Sequence, residues 1–391
     1  MKKLIFLLIL TFLALTINAN AAEESVNGNS IENDKILKIG VLLPLSGTLK
    51  PVGQAFLNAV QLGVHDLKNK EIKIYPKDSK GNALGSYKAA KEFEKLGIKI
   101  VIGPLLHGSA ERLGEVNNVS FIALTNKTES LPKNTIAFGV NVNSQIEVIK
   151  KYFKKNNISK TILLSPKNNF EKQTNLISAS KLNFYKTFLY DENPKKITGQ
   201  IEKITNYRER KRDLERRINI LEKSDLEKDK RELLKLEQRH TLGGVNFDSV
   251  FVVDFGEQLK SILTSFAFAD VTSDNVNFFS LNQWFDETLF SEEALQNLYF
   301  PSIDLKNLNI FEKKYLKAYN EKPNKVSLLA YDALGLIYYC WANNNKNFKT
   351  DSLYSKDGFK GLQGEFFIKN NLAEQKLKIY KISGKKFVNV F

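Results

Sequence analysis

The chain has 391 residues, with 58 Lys and Arg against 43 Asp and Glu, a formal charge of +15 and one cysteine, Cys340. A single cysteine excludes an intrachain disulfide, so burial alone must hold the core, and the three histidines, His65, His107 and His240, are never spaced as a zinc-ligand pair. The basic balance favours acidic partners such as anionic polymers or membrane surfaces, but the lysines are scattered without interleaved aromatics, so nucleic acid is not an expected partner.

Lys2-Lys3, the apolar stretch from Leu4 to Ile17, and the small residues Ala19 and Ala21 read as a cleavable secretory signal over residues 1–21, which places the mature chain in the periplasm. The stretch is shorter than the ~20 apolar residues a membrane span requires, and no transmembrane segment is expected after it. No cysteine near the cleavage point offers a site for lipid. Residues 22–35 are polar and aperiodic and read as a flexible leader.

KIGVLLPLSGTLKPVGQAFLNAVQLGV, residues 38–64, then reads as strand, loop and helix. Val41 to Leu43 suit a strand covered on both faces, Pro44 stops it, and Ser46-Gly47 make a polar turn. Phe56, Val60, Val64 and Leu67 recur at helical spacing. The same alternation continues, with strands 36–43, 71–76, 98–102 and 120–124 and helices 52–68, 83–96 and one beginning near Ser109. A second set comprises helix 144–156, strand 160–165, helix 170–180, strands 182–190 and 248–253, helix 256–268 and strand 276–281. Helices 308–320 and 325–343 and strands 364–369 and 376–382 close the chain. Alternation of this kind predicts an α/β protein with parallel sheets and helices on both faces. The boundaries expected are 36–146 with 302–372 for one lobe and 147–301 with 373–391 for the other.

Residues 202–240 hold 13 basic and 10 acidic residues. Ile204, Tyr207, Leu214, Ile218 and Leu221 keep a three-four spacing, Ser224-Asp225 interrupt it, and Leu226, Leu233 and Leu236 resume it, so a helical hairpin inserted over 200–240 is expected. Asp213 with Arg217 and Glu227 with Arg231 lie one turn apart. The hairpin fits either a solvated spacer or a docking arm. Cys340, inside LGLIYYCW, reads as a buried structural thiol.

In open α/β sheets small ligands sit at the carboxyl ends of strands, which gives the candidate binding residues. Ser46 follows the first strand. Ser109 is placed to cap a helix whose free amides attract a carboxylate, although a plain N-cap needs no ligand. His107 is a candidate for anion recognition; Thr125 and Asn126 are either donors from the next loop or turn residues. Asn169, Asp254, Gln283 and Trp284 are the second-lobe candidates, Asp254 for an amine and Trp284 for stacking. No nucleophile elbow, Walker loop or dinucleotide fingerprint is present, and Asp254-Phe255-Gly256 lacks every other kinase element. Catalytic residues, metal ligands and cofactors are therefore not expected.

KIGVLLPLSG, the Asp78-Ser79-Lys80-Gly81-Asn82 turn, KIVIGPL at 99–105 and SFIALTN at 120–126 resemble the first lobe of type 1 periplasmic binding proteins, among them the leucine-binding proteins. LEQRHTLGGVNFDSVFVVDFGEQLKSI, Gln283-Trp284 and SLLAYDALGL are similar to the penicillin-binding protein activators, a narrower branch. The resemblance implies two Rossmann-like lobes joined by a three-crossover hinge, and a cell-wall synthase as the partner of the 200–240 hairpin. It differs from the activators in lacking a lipid-attachment cysteine and a helical-repeat domain. The transport members imply instead a receptor for an amino-acid-like ligand serving an importer, although the serines usual after the GP loop are here Leu105, Leu106 and His107. A cell-wall enzyme is the third reading.

Overall fold

The first strand, β1 (Leu37–Leu43), shows why two sets of helices are needed. Ile39, Val41 and Leu43 belong to one core cluster and Leu42 to another, because successive side chains of a strand point to opposite faces. The alternation repeats at Ile100, Val101 and Ile102 in β3 (Ile100–Ile102) and at Phe121 and Ile122 in β4 (Ser120–Ala123). A computed structural model describes residues 36–167, 182–282, 291–384 and 386–391. The signal segment, the leader, helix 170–180, Asn169, Gln283 and Trp284 lie outside the described residues.

Two sheets organise the chain. In the first, β2 (Ile72–Asp78), β1, β3, β4 and β5 (Thr135–Ala137) run parallel in the spatial order 2-1-3-4-5. In the second, β7 (Lys186–Tyr190), β6 (Thr161–Pro166), β8 (Ser249–Val252), β9 (Asn277–Ser280) and β10 (Tyr299–Ser302) repeat that order, also in parallel. Each sheet therefore reverses its strand order beside its first strand, the position at which open α/β sheets leave a crevice. Antiparallel strands finish both edges: β11 (Phe359–Gly361) and β12 (Gly364–Lys369) beyond β13 (Leu372–Gln375) in the first, β14 (Lys378–Ser383) and β15 (Lys386–Asn389) in the second.

The first sheet is flanked by α1 (Lys50–Leu67), α2 (Ala83–Lys95), α8 (Leu305–Tyr319) and α9 (Leu328–Ala342). Gly53 lets α1 cross the end of β1, since a Cβ there would lie 1.9 Å from the Pro44 carbonyl oxygen. The second sheet carries α3 (Val142–Lys155), α4 (Pro194–Ile204) and α7 (Gly256–Phe268). Asn82 and Asn141 cap α2 and α3 by accepting the Gly85 and Ser144 amides.

The chain passes between the sheets after β5, after β10 and after β13, making the three crossings of the expected α/β fold. The third falls after Gln375, not after residue 372; the expected strand 376–382 is β14, and β13 precedes it as an additional strand. The cause is a two-residue turn at Asn370-Asn371, both at positive φ, which folds β13 back on β12 within the first sheet. The first and third crossings are tied side to side, and the first is tied as well to the loop after β9. The Ser144 hydroxyl accepts the Gln375 amide at 3.0 Å and donates to its side-chain oxygen at 3.1 Å, Asn141 donates to the Ala373 carbonyl at 2.5 Å, and Gln145 accepts the Asn282 amide at 2.8 Å.

The insertion is a helical hairpin of α5 (Tyr207–Leu221) and α6 (Glu227–Leu236), placed between α4 and β8. It starts later than residue 200, because α4 is a lobe helix whose Ile197 and Ile201 enter the main core. Leu214, Leu221 and Leu236 form a separate small core with Ile218, Leu233 and Leu242. Leu226 does not continue that seam; it stands 65% exposed at the tip, near Ile220 at 61%. The expected i,i+4 pairs are replaced by Asp213 with Arg216, Glu227 with Lys230, and a link between the helices from Arg217 to Glu232 at 2.8 Å. No described helix is long and apolar enough to cross a membrane.

Candidate functional site

The loops at the carboxyl ends of the parallel strands build the candidate site. After β1 the chain turns at Ser46, which is exposed, and Asp78 at the end of β2 gathers this corner by accepting the Leu45 and Lys80 amides, each at 2.8 Å. Burial alone would raise the Asp78 pKa, but hydrogen bonds from Ser46 and from these amides hold it below the ordinary value. Ser46 thus braces two loops of the first lobe.

After β3, Gly103 lies against β1, where a Cβ would meet the Leu42 carbonyl oxygen at 2.1 Å. No α-helix follows. His107–Ala110 and Leu113–Glu115 form short 3-10 turns, because Gly108, Gly114 and the positive φ of Asn118 interrupt a segment that must already reach β4 at Ser120. Ser109 therefore caps no α-helix. It is buried, and its Oγ has no hydrogen-bond partner among the described residues. His107 is half-buried with its Nδ1 enclosed and also unpartnered.

His107, Thr125 and Asn126 meet around a concavity of about 440 Å³. Its apolar wall includes Leu105, Leu124, Val326 and Leu329, and Lys127 adds a cation. Thr125 is buried and its hydroxyl accepts the Lys127 amide at 3.2 Å, whereas Asn126 is exposed. The floor touches Gly139 and Val140, on the first crossing between the lobes. This arrangement suits a small ligand with an anionic or hydrogen-bonding end and an apolar body. Ser46 and Ser109 do not line it.

In the second lobe, Asp254 follows β8 and Ser165 stands near the end of β6, on either side of the strand-order reversal. Asp254 is buried, accepts the Phe255 amide at 2.8 Å and receives the Tyr190 hydroxyl. Burial, then the neighbouring Asp254 carboxylate, pushes the Tyr190 pKa far up, so the phenol remains a donor. The carboxylate is thereby engaged by the protein's own groups. Ser165 is buried, with its Oγ unpartnered among the described residues. Tyr190, Ser165 and Lys127 were not singled out by sequence reasoning; their position at strand ends is the only signal that would have found them.

Comparison with known proteins bears on the fold. A periplasmic binding protein family model matches residues 36–182. No curated protein matches the chain in sequence. Among solved structures, the C-domain of LpoA (YraM) from Haemophilus influenzae, a regulator of PBP1A, is similar with a TM-score of 0.60 at 16% identity, covering 90% of this chain and 100% of that domain. Full-length LpoA from the same organism is similar at 0.61 and 14% identity over 91% of this chain, which spans only 59% of that protein. A putative branched-chain amino acid ABC transporter protein from Rhodospirillum rubrum gives 0.68 at 11% identity, covering 91% of this chain and 100% of that one. The fold is that of the type 1 periplasmic binding proteins, as the sequence resemblance implied.

Proposed function

We propose that this chain is a non-enzymatic periplasmic protein that uses the two-lobed binding fold to contact and regulate peptidoglycan-synthesising machinery, with a synthase of the PBP1A kind as partner and the 207–236 hairpin as the arm that reaches it. The observation that carries the reading is the hairpin's construction. It has its own apolar core, and it is fastened at its base by the buried Arg210, which donates to the Thr205 carbonyl at 3.0 Å, Thr241 Oγ1 at 2.9 Å and the Ala269 carbonyl at 2.5 Å. A spacer needs neither feature. Leu226 and Ile220, exposed at the tip, supply apolar surface for a partner. The likeness to the LpoA C-domain supports the same assignment, and export through residues 1–21 belongs to it. Replacing residues 207–236 by a short glycine linker is expected to abolish capture of the purified synthase while the lobes retain their cooperative unfolding; undiminished capture by the folded variant would reject the docking role.

A second reading rests on the concavity beside His107 and Thr125. As a receptor for an importer, the protein would close on a small amino-acid-like solute. Such a ligand raises the melting temperature by binding only the native state. Amino acids and wall peptides at millimolar concentration are the test, and absence of any shift would remove this reading.

A further inference from the structure

A second and larger cavity, of about 850 Å³, lies at the β11 edge of the first sheet and shares no lining residue with the concavity beside His107. One face of α9 forms one wall, with Gly335, Tyr338 and Tyr339 at helical spacing. The β11–β12 hairpin forms the other, with Phe359 and Phe367. The walls are fixed relative to one another, because Asp332 on α9 accepts the Leu362 and Gln363 amides at 2.9 and 2.7 Å. Tyr339 and Phe359 stand edge to face, with centroids 5.8 Å apart. Tyr339 nevertheless leaves 56% of its surface exposed. At Gly335 a Cβ would meet nothing within 4 Å, so the missing side chain opens the cavity.

The charge of the lining opposes that of the chain. Asp332, Asp357 and Glu365 face one lysine, Lys360, on a protein of formal charge +15. Asp332 is committed to the two amides, and Glu365 is paired with Lys376 at 2.6 Å. Asp357 is exposed and makes no ion pair among the described residues. The aromatic surface here already draws cations, since Lys369 and Lys376 lie 5.7 and 5.3 Å from the Phe367 centroid.

We infer that this cavity binds an organic cation, an alkylammonium group on an apolar body, held by the faces of Tyr339 and Phe359 and by the Asp357 carboxylate. Ring faces attract ammonium groups electrostatically, most strongly where water is excluded, and cavities of this size with few polar groups suit small ligands. The inference is independent of the proposed partner.

Calorimetry of the full chain with benzyltrimethylammonium, against the near-isosteric neutral 2,2-dimethyl-3-phenylpropan-1-ol, tests it. The cation is expected to bind and the alcohol to bind at least about tenfold more weakly, with Tyr339→Ala and Asp357→Asn each costing the cation about tenfold. Gly335→Leu fills the cavity from a position with room for a side chain, and should abolish binding without lowering the melting temperature. No binding to the unmodified chain at millimolar cation, equal binding of the alcohol, or full binding by a folded Gly335→Leu protein would each overturn the inference.

Discussion

Asp332 shows how much one buried side chain can determine. It is 4% exposed, and burial pushes its pKa up to about 6 against the opposing hydrogen bonds from the Gln363 and Leu362 amides. An acid whose folded value lies above its ordinary value of 3.8 binds protons more readily when native, so it makes the protein more stable as pH falls from 7 through 6 towards 4. Urea unfolding at pH 7 and pH 5 is expected to show this gain, and Asp332→Asn should remove most of it; an unchanged pH dependence in the variant would assign the effect to other groups. Asp332→Ala leaves two enclosed amides without an acceptor and is expected to cost about 2 to 4 kcal/mol. None of this was legible beforehand, because the aspartate sits mid-helix in SLLAYDALGL and its partners are 30 and 31 residues away. Ser109 shows the same limit. Its sequence context suits an N-cap, and only the packing of the turn decides that its hydroxyl faces inward.

At the scale of elements, periodicity was informative wherever a face had to be buried. The three-four spacing of Leu214, Ile218, Leu221, Leu233 and Leu236 located the hairpin and its seam, whereas Ile204 and Tyr207, which keep the same spacing, pack on the main core instead. Spacing alone does not say which of two cores an apolar residue joins. Nor does it choose between i,i+3 and i,i+4 ion pairs, which differ by a few tenths of a kcal/mol when exposed. Arg210 hid among the charges of 202–240, although it is one of the few buried. Burial lowers its pKa, with Asp270 opposing, but a guanidinium stays charged and must keep its three acceptors. Arg210→Ala is expected to raise hydrogen exchange throughout 207–236 by tenfold or more while the strands β6, β8 and β9 keep their protection; uniform loosening of the second lobe would mean that the hairpin is integral to it.

For the molecule as a whole, the strand-helix alternation predicted parallel sheets covered by helices on both faces, while the two lobes and their three crossings were what the family resemblance implied. The last crossing lies later than the alternation predicts because β11, β12 and β13 leave the alternating pattern, and the tight turn at Asn370-Asn371 keeps β13 in the first sheet. What two lobes and a braced arm accomplish together is most directly tested by contact in the cell. A photo-crosslinking amino acid at Leu226 is expected to yield an adduct with a peptidoglycan synthase, identified by mass spectrometry, while the same group at exposed Lys386 on β15 yields none. Adducts with the synthase from Lys386 but none from Leu226 would contradict the docking assignment.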